Sequence, residues 1–260
     1  MALQKRTLGQ SGIIVSCLGL GTVKFGRNQE VKYPEKFALP SDEIISKLLD
    51  QAQSSGINFL DTAPAYGSSE QRLGRLLSRR QDWVICTKVG EEFITGKSFF
   101  DFSERHVRTS IERSLRNLKT DYLDLVLVHS DGNDTAIIDS TDCLETLTSL
   151  KEAGLVRAIG MSTKSIEGGI KAVDLMDAVM VTYNPSNTLS TEVIAYASQK
   201  NKGVIIKKAL NSGYDCDRGA ERNFNFSLNH DGVSSIVFGT INSDHLASNV
   251  ACAIKVLAKQ

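Results

Sequence analysis

The sequence predicts a (β/α)8 barrel with a short N-terminal hairpin, and three observations predict it. The chain has 260 residues, an ordinary size for that fold. Eight short apolar runs recur along it, each followed by a more polar segment of helical character. Strands that are apolar throughout are buried on both faces, as in a parallel sheet covered by helices. Finally, no G-x-G-x-x-G follows the first run, which weighs against an open nucleotide-binding sheet.

The elements follow in order. RTLGQSGIIVS (6–16) has a polar, glycine-containing centre between apolar flanks and predicts a hairpin at the barrel bottom. VSCLGLGT predicts the first barrel strand, and SDEIISKLLDQAQSSG its helix, closed by Gly56. NFLDTA is followed by SEQRLGRLLSRR. WVICTKV is followed by SERHVRTSIERSLRNLKT, in which Val107, Ile111, Leu115 and Leu118 share one face. The next pairs are DLVLVHS with STDCLETLTSLKEAG, VRAIGMS with SIEGGIKAVDLM, and AVMVTYN with TEVIAYASQKN. GVIIKKAL precedes a weaker helical segment around 217–229. SSIVFGT precedes SDHLASNVACAIKVL, with Leu246, Val250, Ile254 and Leu257 aligned. With no low-complexity linker between them, these units are expected to form one domain over residues 1–260.

Thirty basic and thirty acidic residues cancel, so the charge balance asks for neither nucleic acid nor a membrane surface. No apolar run reaches the length of a spanning helix, and the N-terminus has no apolar signal core. Cys17, Cys86, Cys143, Cys216 and Cys252 are scattered and odd in number. They predict neither a metal site nor a disulfide framework, and a reducing cytoplasm is the expected compartment.

Active sites of this fold gather where the strands end. The second strand ends in Asp61, with Tyr66 five residues on; the third ends in Lys88; the fourth ends in His129. A carboxylate at the end of a buried strand needs a cation or several donors, and Lys88 on the next strand is the cation expected to meet it.

FLDTAPAYGSSEQRLGRLL, CTKVG, SLRNLKTDYLDLVLVHS and GLVRAIGMS together resemble the aldo-keto reductases, in that family's order along nearly the whole chain. The resemblance implies interconversion of a carbonyl and an alcohol with NAD(P)(H), and a catalytic set of Tyr66, Asp61, Lys88 and His129. The residue types suit the chemistry. A tyrosine can protonate the alkoxide that reduction leaves. A neighbouring ammonium is expected to lower the phenol's pKa toward neutrality. Asp61 would hold Lys88 in place, and His129 would donate to the substrate oxygen. A Schiff base at Lys88 in an unrelated barrel lyase is an alternative that the Asp61 and Tyr66 spacing disfavours.

The loops after the seventh and eighth strands, KKALNSG and FGTINSDHLASNV, are the usual phosphate site of this barrel. Gly239 would admit a phosphate, with Thr240, Asn242 and Ser243 as donors at a helix start. By the resemblance, Asn249 would face the adenine and Ser162 the nicotinamide amide. Gly21, Thr22, Asp61, Thr163, Lys207, Leu210 and His245 complete the expected cofactor contacts. Four departures stand out. Thr163 replaces a common Asn, Met180 a Gln, Lys207 a stacking aromatic, and Gly239 with His245 the Lys and Arg that hold a 2′-phosphate. NADP(H) is therefore expected to be favoured over NAD(H) only modestly. The altered nicotinamide platform keeps open a second reading, a dinucleotide-binding sensor or regulatory subunit with slow turnover.

The expected partner is a small carbonyl compound, acted on by a monomer or small homo-oligomer. With the sequence ending at Gln260, the C-terminal loop that longer members carry over the pocket is not expected. VKFGRNQEVKYPEKFALP is long for a βα loop and is expected to form a partial lid over residues 24–40, through Phe25, Tyr33 and Phe37. SDGNDTAII after His129 is expected to line the pocket with polar groups.

Overall fold

A computed structural model of the chain describes residues 3–213 and 216–259, without the side chains of residues 216–218. Cys216 as a thiol and the chain end at Gln260 therefore lie outside the described residues.

The chain opens with an antiparallel hairpin of β1 (Lys5–Thr7) and β2 (Ile14–Ser16). The first barrel strand, β3 (Leu18–Gly21), leads to a single helical turn, α1 (Val23–Gly26), and then to α2 (Asp42–Ser54). Next come β4 (Phe59–Asp61) with α3 (Ser69–Leu76), and β5 (Val84–Val89). An antiparallel hairpin, β6 (Glu91–Ile94) and β7 (Lys97–Phe100), precedes α4 (Glu104–Leu118). β8 (Leu123–His129) is followed by two helices, α5 (Asp134–Ser140) and α6 (Cys143–Glu152). β9 (Val156–Ser162) carries α7 (Ile166–Leu175), and β10 (Ala178–Thr182) carries α8 (Thr191–Gln199). β11 (Gly203–Lys207) with α9 (Cys216–Leu228), and β12 (Ser235–Gly239) with α10 (Ser243–Leu257), complete the chain.

Strands β3, β4, β5, β8, β9, β10, β11 and β12 pair in parallel and close into a barrel. The strand residues divide as a two-residue alternation requires. Phe59, Leu125, Leu127, Ala158, Met180 and Ile205 pack together in the smaller apolar cluster, with Leu8, Ile13 and Val15 of the hairpin region. Their neighbours Leu60, Val126, Val128, Ile159, Val179 and Ile206 belong to the larger cluster shared with the helices. The hairpin thus plugs the barrel. Leu8, Ile13 and Val15 are at most 1% exposed, and burying each such side chain contributes about 1.5–3 kcal/mol. Arg6 ties the hairpin to the last unit, donating to the carbonyls of Val233 and Leu228 at 2.7 and 3.1 Å.

Helix starts follow from their capping residues. Ser41, Ser103 and Ser165 accept from the amides of Ile44, His106 and Gly168. Asn242 caps α10, accepting from Asp244 and His245. No helix among the described residues is long and apolar enough to cross a membrane.

Two expectations are corrected. SDGNDTAII does not line the pocket: Asp134 is buried and its side chain accepts from the amides of Lys164 and Ser165, so the segment turns inward and starts α5. Phe25 is no lid residue; it is fully buried in the larger core. The stretch after β5, for which the sequence predicts no element, forms the β6–β7 hairpin, turning through Thr95 and Gly96, both at positive φ.

Candidate active site

Parallel pairing brings the strand ends to one mouth of the barrel. Asp61 lies opposite Gly21 and Cys86, His129 opposite Ser162, and Gly21 opposite Gly239. A cavity of about 740 Å³ opens there, within the range of small-molecule sites. Gly21, Asp61, Tyr66, Lys88, His129, Ser162, Lys207, Leu210, Gly239, Thr240, His245 and Asn249 line it.

Lys88 and Asp61 form the buried pair at its centre. Lys88 Nζ donates to Asp61 Oδ1 at 2.5 Å and to the Thr62 carbonyl at 2.9 Å. Burial works against the ammonium, but the Asp61 charge prevails and raises the Lys88 pKa above its ordinary value. The same ammonium stands 4.7 Å from the centroid of the Tyr66 ring.

Tyr66 sits in a short turn of 3-10 helix, Pro64–Tyr66, and meets the His129 ring edge-on, centroids 6.2 Å apart. Its phenol does not fall toward neutrality as the neighbouring ammonium suggested. Burial raises its pKa above the ordinary value, and the Lys88 charge offsets only part of that. Desolvation penalises the phenolate more than one nearby cation favours it.

His129 lies with Nδ1 2.8 Å from Glu91 Oε2. Burial lowers the imidazole pKa, and Glu91 opposes that shift. Burial also opposes ionisation of Glu91, but His129, Ser98 and Arg27 together hold its carboxyl down to about 2.

Four expected cofactor contacts do not reach the cavity wall. The hydroxyl of Thr22 donates to the Asp61 carbonyl and accepts from Ser69. Thr163 is buried behind Ser162, its carbonyl accepting from Lys207. Asn242 is committed to its own helix, and Ser243 is exposed at the first turn of α10. Lys207 takes a position that composition did not suggest. Its amine donates to Ser162 Oγ at 2.7 Å and to the Thr163 carbonyl at 3.0 Å. Burial, with Lys208, Lys88 and Lys164 nearby, brings its pKa down to about 7.

Sequence reasoning missed Glu91, Lys32 and Lys164 on the cavity wall. Glu91 was findable: GEEFITGKSFF alternates around a Thr-Gly pair, a hairpin signal. Tyr33, from the long loop, reaches so near Gly239 that a Cβ there would lie 2.8 Å from its hydroxyl. Burial, with the Asp61 charge adding to it, pushes this phenol up to about 12.

A nicotinamide dinucleotide fits this donor set. Gly21 and Gly239, paired across the mouth, bring no side chains of their own to this part of the wall, and the Tyr33 hydroxyl lies beside Gly239. Lys32, Lys164, Lys207 and Lys208 also line the cavity, and mutual repulsion contributes to the lowered pKa values of Lys207 and Lys208. Such a cluster is relieved by a polyanion.

Comparison with known proteins agrees with the geometry. The aldo/keto reductase family model matches residues 17–223. A Pseudomonas aeruginosa structure of PA4992, provisionally described as an aldo-keto reductase, superposes with a TM-score of 0.90 at 47% identity, covering 97% of this chain and 95% of that one. The uncharacterized oxidoreductase YqkF of Bacillus subtilis is 33% identical over 166 residues, 62% of this chain and 49% of that protein. L-galactose dehydrogenase of Arabidopsis thaliana is 29% identical over 232 residues, 84% of this chain and 68% of that protein. This chain therefore spans about half to two thirds of these two curated relatives. The family match covers most of the barrel and includes the segments bearing Asp61, Tyr66, Lys88 and His129; the chain belongs to the aldo/keto reductase family.

Proposed function

We propose that this chain reduces aldehydes or ketones to alcohols with NAD(P)H, with Tyr66 as the general acid and residues 1–260 acting as one catalytic unit. The observation that carries this reading is the convergence of the Tyr66 phenol, the Lys88–Asp61 pair and His129 on one cavity. Bound there, the dihydronicotinamide supplies the hydride that a carbonyl carbon accepts. The chain's own work is to orient the substrate oxygen and protonate it as the alcohol forms. A phenol held above its ordinary pKa stays protonated at neutral pH, the form an acid needs. Gly21, Gly239, Thr240, Asn249, Lys32 and Lys208 are the residues we assign to the dinucleotide, with NADP(H) modestly preferred.

The test is a dinucleotide-oxidation screen against aldehydes, ketones and sugars, followed by Tyr66→Phe on the best substrate. General acid catalysis contributes about 10²–10⁴-fold. Turnover should fall by that order while dinucleotide affinity holds. A variant retaining half its activity removes Tyr66 from the role. One observation favours a second reading, a dinucleotide-binding sensor: Ser162 is already engaged by Lys207. Tight dinucleotide binding with no turnover on any carbonyl would select it.

A further inference from the structure

We propose that Glu91 is a positioning residue that fixes which nitrogen of His129 carries a proton, and so what His129 offers the cavity. The proposal rests on the reading of His129 as a substrate-facing group. It stands on the way the β6–β7 hairpin is built.

Gly90 at φ +101 turns the chain out of β5, and Phe102 leaves no room there for a side chain: a Cβ would lie 2.3 Å from its ring. The hairpin then starts at once, and strand alternation divides its residues. Glu92 faces away and meets Arg113 and His106. Glu91 and Phe93 face the cavity side, where Arg27 stacks over the Phe93 ring at 3.5 Å.

The two carboxylate oxygens of Glu91 have different neighbours. Oε1 accepts from the Ser98 hydroxyl at 2.6 Å and lies 3.5 Å from Arg27 Nη1. Oε2 lies 2.8 Å from His129 Nδ1. The approach is not in line with a ring N–H, and no other group satisfies this buried nitrogen among the described residues. Catalytic hydrogen bonds are often misaligned before ligand binds, and a buried ring nitrogen requires a partner.

An ionised carboxylate only accepts. Facing it, Nδ1 must carry a proton. In the neutral ring Nε2 is then a bare acceptor, and it is the nitrogen left for the cavity. Only the imidazolium can donate to a carbonyl oxygen. His129 would therefore assist reduction in its charged form and accept from an alcohol in its neutral form. The groups facing it are Glu91 from β6, Lys88 from β5, Lys207 from β11 and Tyr66 from the turn after β4. The lysines disfavour its charge and Glu91 favours it.

Glu91→Gln makes a sharp test, because Arg27 is a donor without acceptor capacity. The new amide should place its oxygen at Oε1, beside Ser98 and Arg27, and its NH₂ at Oε2. It would then donate to Nδ1 and drive the proton to Nε2. The measurement is ¹⁵N NMR of histidine-labelled full-length protein near pH 8, without dinucleotide, the His129 signals being identified by their loss in His129→Asn. Wild type should be protonated at Nδ1 and Glu91→Gln at Nε2, with the imidazole pKa lowered by about one unit as the carboxylate charge is lost. Wild-type protonation at Nε2, or an unchanged tautomer in Glu91→Gln, overturns the proposal. If Glu91→Gln does not fold, the wild-type tautomer decides alone. In turnover, reduction by wild type should decline as pH rises through the imidazole pKa, and the variant should lose that limb. A chain that reduces no carbonyl defeats the functional reading, while the tautomer measurement still decides the role of Glu91.

Discussion

Lys88 donates to Asp61 at 2.5 Å, and both side chains are almost fully withdrawn from solvent, 2% and 6% exposed. Removing one member of such a pair strands the other charge and typically costs about 3–5 kcal/mol. Lys88→Met should lose stability on that scale in denaturant titrations. It should also move the pH dependence of alcohol oxidation further alkaline, because the phenolate of Tyr66 loses its nearest cation. Asp61→Asn should act in the same direction, more weakly. A Lys88→Met profile that overlays wild type would separate the lysine from the phenol.

Lys207 gives a stability prediction with a definite sign. Its pKa is about 7 in the folded chain against 10.5 ordinarily. Between those values the unfolded chain binds the additional proton, so this group's contribution to stability rises with pH from about 7 to 10.5. Lys207→Met removes the penalty. At pH 7 its Tm should exceed wild type, the lost hydrogen bonds to Ser162 and the Thr163 carbonyl offsetting part of the gain. The difference should shrink toward pH 10. A constant offset across that range would mean that the amine is protonated throughout.

The cofactor preference is set by which cations reach the additional phosphate. His245 is the one titratable residue that α10 contributes to the cavity wall among the described residues, and an imidazole lacks the forked, permanently charged donors of a guanidinium. We expect NADPH over NADH by about tenfold, or 1.4 kcal/mol, and a larger ratio in His245→Arg, more so at low salt. Lys32→Ala and Lys208→Ala should weaken dinucleotide binding and flatten its salt dependence. Fluorescence titrations with both cofactors side by side measure all of this.

Arg72 holds both ends of the long loop after β3. It donates to the Phe25 carbonyl and to the Pro40 carbonyl, each at 2.6 Å, and to Asp42 at 2.7 Å. A hydrogen bond to a charged group contributes about 1.5–3 kcal/mol. Arg72→Ala should therefore cost at least about 2 kcal/mol and expose residues 27–40 to protease, read by mapping the first cleavage site. Cleavage elsewhere first would show that the loop is held by other contacts.

The barrel was legible because its strands are apolar on both faces, as in VICTKV, where all six residues are buried. The rim followed from counting to strand ends, and the structure brings Asp61, Tyr66, Lys88 and His129 to one cavity. What escaped depends on tertiary context. The β6–β7 hairpin, with Ile94 and Phe99 about half exposed, is a two-stranded flap outside the barrel, so its short strands and Glu91 did not stand out. α5 is seven residues long, too short for a helical period to register against a turn-rich start. The hydroxyl of Thr22 was free to suggest a ligand until Asp61 and Ser69 claimed it. The phenol of Tyr66 could not be assigned its direction from a neighbouring lysine alone, because desolvation is a property of the packed site.

The seam of the ring dictates an order of events. Gly21 pairs with Gly239, and Arg6 reaches Val233 across 227 positions of sequence. A chain synthesised in order makes the plug before there is a barrel to fill, and makes β3 long before its neighbour β12. Leu8, Ile13 and Val15 must wait, apolar and unpartnered, until the rest of the wall exists. Contacts of such long range are slow to form and leave sticky intermediates. Loss of residues 235–257, which form β12 and α10, would open both edges of the sheet and release the plug together, making this strand–helix unit a checkpoint for folding.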